Sequence, residues 1–278
     1  MRFSLCNEVL REWPFERQCA YAAALGYAGL EVAPFTLADD PTRISDREAA
    51  RLKAVASDHG LVVTGLHWLL VAPAGLSITD PDPTVGSRTR DVLLALVELC
   101  ATLGGTVLVH GSPKQRVLPE NGADRARATA LAHFAAAGEA ATAAGVTYCI
   151  EPLSPEETGF INTVAEAAAL VEAAGTPGLA TMLDTAAAAA SEVEPASAVL
   201  DRWLPTGRIA HIQLNDRNRR GPGQGGDRFA AVLAALRRHG WDRPVAIEPF
   251  VYLPDAPATA AASIAYLRGV LDGLEARS

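Results

Sequence analysis

The sequence predicts a (β/α)8 TIM barrel of the α/β class, and three observations carry that reading. Eight short apolar runs of β type alternate with alanine-rich or amphipathic segments of helical length along the 278 residues. Glycine recurs just ahead of many of the strands, where a left-handed residue closes a helix. The first strand is followed by "CNEVLREW", which lacks G-x-G-x-x-G and so counts against a dinucleotide fold. Strand then helix, eight times over, requires parallel pairing, and that pattern closes into a barrel. A doubly wound eight-stranded sheet is the runner-up.

In chain order, "RFSLC" (2–6) is the first strand, and the helical pattern 14–25 ends at Gly26. "GLEVA" (29–33) follows, then 46–59 closed by Gly60, then "VVTGLHWL" (62–69). The pattern 84–103 ends at Gly104 before "TVLVHG" (106–111), and 124–144 ends at Gly145 before "TYCIE" (147–151). Helical 163–174 leads to "LATMLD" (179–184), and "IAHIQL" (209–214) is the seventh strand. Helical 228–239 closes at Gly240 before "PVAIE" (244–248), and 259–275 completes the pattern. No linker rich in Ser, Gly or Pro interrupts it, so 1–278 reads as one barrel domain.

Composition narrows the function. A net charge of −8 opposes a general phosphate-backbone binder, and "RNRR" at 217–220 is only a local basic patch. Cys6, Cys19, Cys100 and Cys149 are scattered with no C-x-x-C pair, and read as buried, reduced thiols. The N-terminal run meets charge at Glu8, and no apolar stretch is long enough to cross a bilayer. The expectation is a soluble cytoplasmic protein with neither nucleic acid nor membrane as partner.

In a barrel the chemistry sits at the C-terminal ends of the strands. Strands five to eight end in or near Glu151, Asp184, His211 and Glu248. Any one of these has a bland reading, and Asp184 before "TAAAAASE" can simply cap a helix. Four polar groups facing one cavity are costly without a shared partner, so the set points to a cofactor, one divalent metal ion. Oxygen-rich ligation with one imidazole suits Mn, Mg or Co better than a closed structural Zn site. Glu151 and Glu248 each precede a proline, which holds the glutamate in extended geometry at the rim.

The blocks "IEP", "LDT", "HIQLNDRNRRGPGQG" and "IEPF" after strands five to eight resemble the sugar phosphate isomerase/epimerase family. That is the xylose-isomerase-like TIM-barrel group containing D-tagatose 3-epimerase, hydroxypyruvate isomerase, inosose-processing enzymes and endonuclease IV. The resemblance spans the chain and implies Glu151, Asp184, His211 and Glu248 as metal ligands. It implies substrate contacts at Arg217, six residues after the histidine, and at Glu157, with Glu156 beside it. One departure stands out: the 3-epimerases carry a histidine for the ketone oxygen where this chain has Ala187. His67, His110, Lys114 and Arg116 are the candidates to replace it.

The expected activity is isomerase or epimerase chemistry on a ketose or related keto-sugar or keto-polyol, through a metal-stabilised enediolate. Glu151 and Glu248 would exchange the proton from opposite faces; a single carboxylate working between neighbouring carbons would give aldose–ketose isomerisation. The alternative is a lyase or dehydratase acting on a keto-sugar or keto-cyclitol. A non-catalytic barrel would hold no metal, and the acidic pI opposes an endonuclease. Homo-oligomers are common among the relatives that the resemblance suggests. Glu31 reads as a substrate contact or an ion-pair partner, Trp13 and Trp68 as wall or core. "RGPGQG" at 220–225 reads as a mobile loop near the metal.

Overall fold

The computed structural model describes residues 1–276. Eight strands form the barrel: β1 (Phe3–Cys6), β2 (Gly29–Val32), β3 (Val62–Leu66), β4 (Val107–His110), β5 (Thr147–Ile150), β6 (Leu179–Asp184), β7 (Ile209–Leu214) and β8 (Val245–Ile247). They pair in parallel in sequence order, and β8 closes onto β1.

Around them run α1 (Phe15–Leu25), α2 (Asp46–Asp58), α3 (Pro83–Leu103), α4 (Ala123–Ala144) and α5 (Val164–Ala174), then α6 (Thr185–Ser191), α7 (Ala196–Trp203), α8 (Phe229–Arg238) and α9 (Ala256–Glu275). Each expected strand and helix is present within a few residues. The five glycines placed at helix ends all have positive φ. Of the two helices that share the β6–β7 crossover, α6 follows the capping role open to Asp184, whereas α7 is unforeseen. Asp184 caps α6 by accepting the Ala187 N–H at 2.8 Å, and α7 starts after Pro195, a residue that a helix interior excludes.

Alternation along the strands builds two cores. Leu5, Leu30, Leu66, Leu108, Ile150, Leu183 and Ile247 join Leu93, Leu96, Phe134 and Leu233 of the helices in one large apolar cluster. Inside the barrel a small cluster holds Val107, Val109, Cys149, Ala180, Met182 and Ala210. Much of the remaining interior is polar, with Ser4, Glu31, His211 and Gln213 all buried. All four cysteines are free and buried.

A register shift places one key residue. Thr181 pairs with Ile209 but Met182 pairs with His211, so Ala210 is an extra residue on β7. The bulge re-aims the strand and turns His211, three residues before the strand end, into the barrel.

Candidate active site

Strand ends five and eight are built alike. The Glu151 amide donates to His110 O at 3.2 Å and the Glu248 amide to Leu214 O at 3.1 Å. Each glutamate thus adds a last rung to the ladder, and the proline after it ends the strand with the carboxylate at the rim. One carboxylate oxygen from each of Glu151, Asp184 and Glu248 falls in a group whose members all lie within 4.8 Å of one another, and all three residues are buried.

Two of these carboxylates are held through one oxygen and left bare on the other. Asp184 Oδ1 accepts the Ala187 N–H, and Glu248 Oε1 accepts the Trp68 indole N–H at 3.1 Å. Asp184 Oδ2 and Glu248 Oε2 are buried with no hydrogen-bond partner. Burial, then repulsion from Asp184, pushes the Glu151 pKa well above the carboxylate range. Burial and the Glu151 charge do the same to Glu248, and burial lifts Asp184 to about 7. Acidic oxygens pressed together, unpartnered and out of water fit a hard divalent cation.

His211 lies outside this group. Its Nε2 lies 2.7 Å from Glu31 Oε2, and the residue also lines a hollow at the opposite end of the barrel. Glu31 is fully buried, and its Oε1 accepts from Gln213 Nε2 at 2.7 Å. Burial alone would raise its pKa; the neighbouring His211 and His67 outweigh that and hold it below the usual range. Glu31 therefore reads as the ion-pair partner, not as a substrate contact.

Above the carboxylates lies a cavity of about 170 Å³ lined by Glu151, Asp184, Asn215, Glu157, Arg219 and Phe250 together with alanines of α6. A larger hollow, about 490 Å³, opens at the opposite end of the barrel around Arg2, Thr106 and Arg243, away from the carboxylate group.

Residues 19–270 match the family model described as xylose isomerase-like TIM barrel. The chain belongs to that family. It is 27% identical over 238 residues to the ketose 3-epimerase of Arthrobacter globiformis, covering 82% of this chain and 77% of that one. It is 28% identical over 227 residues to the L-ribulose 3-epimerase of Mesorhizobium japonicum (strain LMG 29417), covering 80% and 72%. A solved D-psicose 3-epimerase in the presence of D-fructose shares the fold, with a TM-score of 0.81 at 20% identity over 98% of this chain and 99% of that one.

Within this xylose-isomerase-like barrel, several expected substrate groups lie elsewhere than the sequence reading put them. His110 is on the outer face of β4: its Nδ1 is 2.6 Å from the Tyr148 hydroxyl and its ring packs on Phe134 at 5.2 Å. Burial, then the Arg116 charge, drags its pKa down to about 3, so it is a neutral packing residue. Lys114 is exposed on the turn Pro113–Gln115. The cation this loop sends inward is Arg116, fully buried, whose Nη1 donates to the Glu151 carbonyl at 2.7 Å. His67 is also fully buried and does not line the cavity: Nε2 is 2.7 Å from Glu8 Oε2 and 3.8 Å from Glu248 Oε1.

Two arginines of the strand-seven loop, Arg217 and Arg219, border the cavity. Arg217 borders the cavity, but its Nε and Nη2 both lie 2.6 Å from Asp227 Oδ1, and its amide donates to Asp227 Oδ2 at 2.7 Å. It braces the 216–227 loop. Arg219 instead reaches Glu157 Oε1 at 3.2 Å, with its guanidinium 4.7 Å over the Phe250 ring. Of the two adjacent glutamates, Glu157 makes this contact, and its other oxygen accepts from the Ser154 hydroxyl at 2.9 Å.

Two residues escaped sequence reasoning. Arg219 is turned inward by a tight turn in which its N–H donates to Asp216 O at 2.7 Å and its φ is +64°. Glu8 lies on the 3-10 turn Asn7–Leu10 directly after β1, and its only sequence signal is an acid two residues past a strand end.

Proposed function

We propose that this chain is a divalent-metal-dependent isomerase or epimerase of a keto sugar, with Glu151 and Glu248 as its proton-transfer pair. The observation that carries the reading is the grouping of Glu151, Asp184 and Glu248 oxygens within 4.8 Å at the rim of one barrel, below a sugar-sized cavity. Glu151, Asp184, His211 and Glu248 would hold the cation, manganese, magnesium or cobalt before zinc by their oxygen-rich character. When bound, such a cation supplies the positive charge that makes a proton beside a carbonyl acidic.

The chain's own residues do the rest. Glu151 and Glu248 come from strands three apart around the ring, so a substrate between them meets a carboxylate on each face. One takes the proton from carbon; the other returns a proton to the opposite face, and the configuration inverts. Trp68 fixes one Glu248 oxygen, and Arg116 holds the Glu151 backbone. Glu157 and Arg219 would bind hydroxyls of the substrate.

In this reading the whole span 1–278 acts as one barrel domain in the cytoplasm, and homo-oligomers are allowed; Arg277 and Ser278 of that span lie outside the described residues. The net charge of −8 supports a small polar substrate over nucleic acid. Among the described residues no helix is long and apolar enough to cross a membrane.

The test is incubation of the metal-loaded protein with a panel of keto sugars in D₂O. Deuterium appearing beside the carbonyl, with an isomer formed, is the expected result. Exchange on none of them would overturn the proposal, and loss of substrate with a released fragment would make the enzyme a lyase.

A further inference from the structure

Glu248 belongs to two groups of ligand-type atoms, and only one of them carries the isomerase reading. In the other, one atom each of Cys6, Glu8, His67 and Glu248 lies within 4.8 Å of all the rest, and all four residues are buried. Cys6 ends β1, and Glu8 follows it on the turn Asn7–Leu10. His67 comes directly after β3 and Glu248 directly after β8. The group therefore gathers around the seam where β8 closes onto β1.

Hydrogen bonding inside the group accounts for only part of its polar atoms. His67 Nε2 lies 2.7 Å from Glu8 Oε2 and 3.8 Å from Glu248 Oε1. Glu8 Oε1, Glu248 Oε2 and His67 Nδ1 are buried with no hydrogen-bond partner. Glu31 Oε1 faces that Nδ1 at 3.7 Å, the place a carboxylate takes behind a metal-bound imidazole. The Cys6 thiol makes a long contact to the same oxygen at 3.8 Å. Burial, then Glu31, pushes this thiol well above its ordinary value, so it keeps its proton until a cation displaces it.

Charge makes the same demand. Glu8, Glu31, Glu151, Asp184 and Glu248 are all buried, and Arg116 is the one buried arginine or lysine among the described residues. Burial, then the charges of Glu151, Glu8, Asp184 and Glu31, all push the Glu248 pKa up. One divalent cation and the guanidinium offset three of these charges and leave two. Buried charge without a partner is costly, and a second divalent cation offsets what is left.

The donor types select the ion. A thiol, an imidazole and two carboxylates make a softer set than the oxygens of Glu151, Asp184 and Glu248, and four donors suit a tetrahedral shell. Zinc bonds of about 2.0–2.3 Å put neighbouring donors about 3.3–3.8 Å apart. Pairs now up to 4.8 Å apart would close by about 1 Å, and the Glu8–His67 pair would open.

We propose that Cys6, Glu8, His67 and Glu248 form a second cation site, of zinc type, with Glu248 as the carboxylate it shares with the first. The ion displaces the proton between His67 and Glu8 and the thiol proton of Cys6, and it ties the ends of β1, β3 and β8 together. Glu31 stands behind the His67 ring and orients it. Binding of this ion needs no substrate, so the site goes beyond the isomerase reading and does not rest on it.

The test uses the full chain, stripped of metal and titrated with cobalt(II), a substitute for zinc whose bond to a thiolate absorbs in the near ultraviolet. Two ions per chain are expected, and the thiolate band should rise with one of them. Cys6→Ser should abolish the band, and Glu8→Gln should weaken that ion about tenfold or more while the other stays bound. Circular dichroism reports whether each variant is folded. One ion per chain without a thiolate band means that protons hold these groups; it overturns the second site and leaves the cation of the isomerase reading standing. A band that persists in folded Cys6→Ser, or two ions bound unchanged by folded Glu8→Gln, also overturns it. No ion bound at all sinks both. Excess zinc should also raise the melting midpoint of the wild-type chain more than that of Cys6→Ser, and an equal rise counts against the site.

Discussion

Gly111 lies so close to Glu151 that a β-carbon on it would overlap the carboxylate oxygen Oε2. The residue after β4 therefore gives its side-chain space to the acid after β5. Gly111→Ala is expected to displace the Glu151 carboxylate and to lower metal affinity by about tenfold or more, since repositioning one of the proposed ligands would weaken the site on that scale. Unfolding midpoints of the metal-free protein should change far less, because the backbone there needs no special φ. Calorimetric metal titration beside a denaturant curve separates the two effects.

Metal binding should depend on pH. Without a cation, Glu151 and Glu248 sit well above the carboxylate range and Asp184 at about 7, so the folded protein carries protons there at neutral pH. A cation must displace them, and affinity should rise with pH through 7, releasing about one proton or more per ion. The same raised values give the metal-free protein stability at low pH that it loses as pH rises through about 7. A chelated sample should therefore melt lower at pH 8 than at pH 6, and added metal should close the gap.

The two arginines of the strand-seven loop should separate kinetically. Arg219→Ala removes the group that reaches Glu157 and Phe250, and KM should rise by about tenfold or more. Arg217→Ala breaks an ion pair with Asp227 whose arginine side chain is 67% exposed, so its effect on KM should be the smaller and a loosened loop its main consequence. Steady-state kinetics with limited proteolysis distinguishes them; the reverse order would return the substrate role to Arg217.

His110 should register in acid. Its folded pKa of about 3 lies below the ordinary 6.5, so the stability it contributes is complete above 6.5 and is lost as pH falls toward 3. The full shift corresponds to a loss of about 5 kcal/mol. In His110→Gln the fall in denaturation free energy between pH 7 and pH 4 should be shallower, because Gln has no proton to gain. An unchanged slope would show that this imidazole is not what acid attacks.

What the sequence disclosed and what it hid have physical causes. Strands and long helices announce themselves by periodicity and closing glycines, and the paired glutamates by the proline that fixes each at a strand end. The direction of His110 was readable in principle. Val107 and Val109 point inward, so parity sends His110 outward and Gly111 in. The choice between Arg217 and Arg219 was not readable, because it turns on one left-handed residue inside a loop. Glu8 stayed hidden because a 3-10 turn has no hydrophobic period to mark which side faces the barrel. The alanine run after Asp184 covers only α6, and α7, set apart by Pro195, is too short at eight residues to show a helical period.

The Glu31 carboxylate, taken with its contacts to His211 and Gln213, spans the interior from the second strand to the seventh. All four ligands proposed for the catalytic cation belong to the C-terminal half of the chain, yet the residue that orients their imidazole belongs to the N-terminal quarter. A fragment beginning at β5 would contain all four and lack this brace. The proposed metal centre would thus be a property of the closed ring, and it should come into being late, only when the first strands have docked against the last.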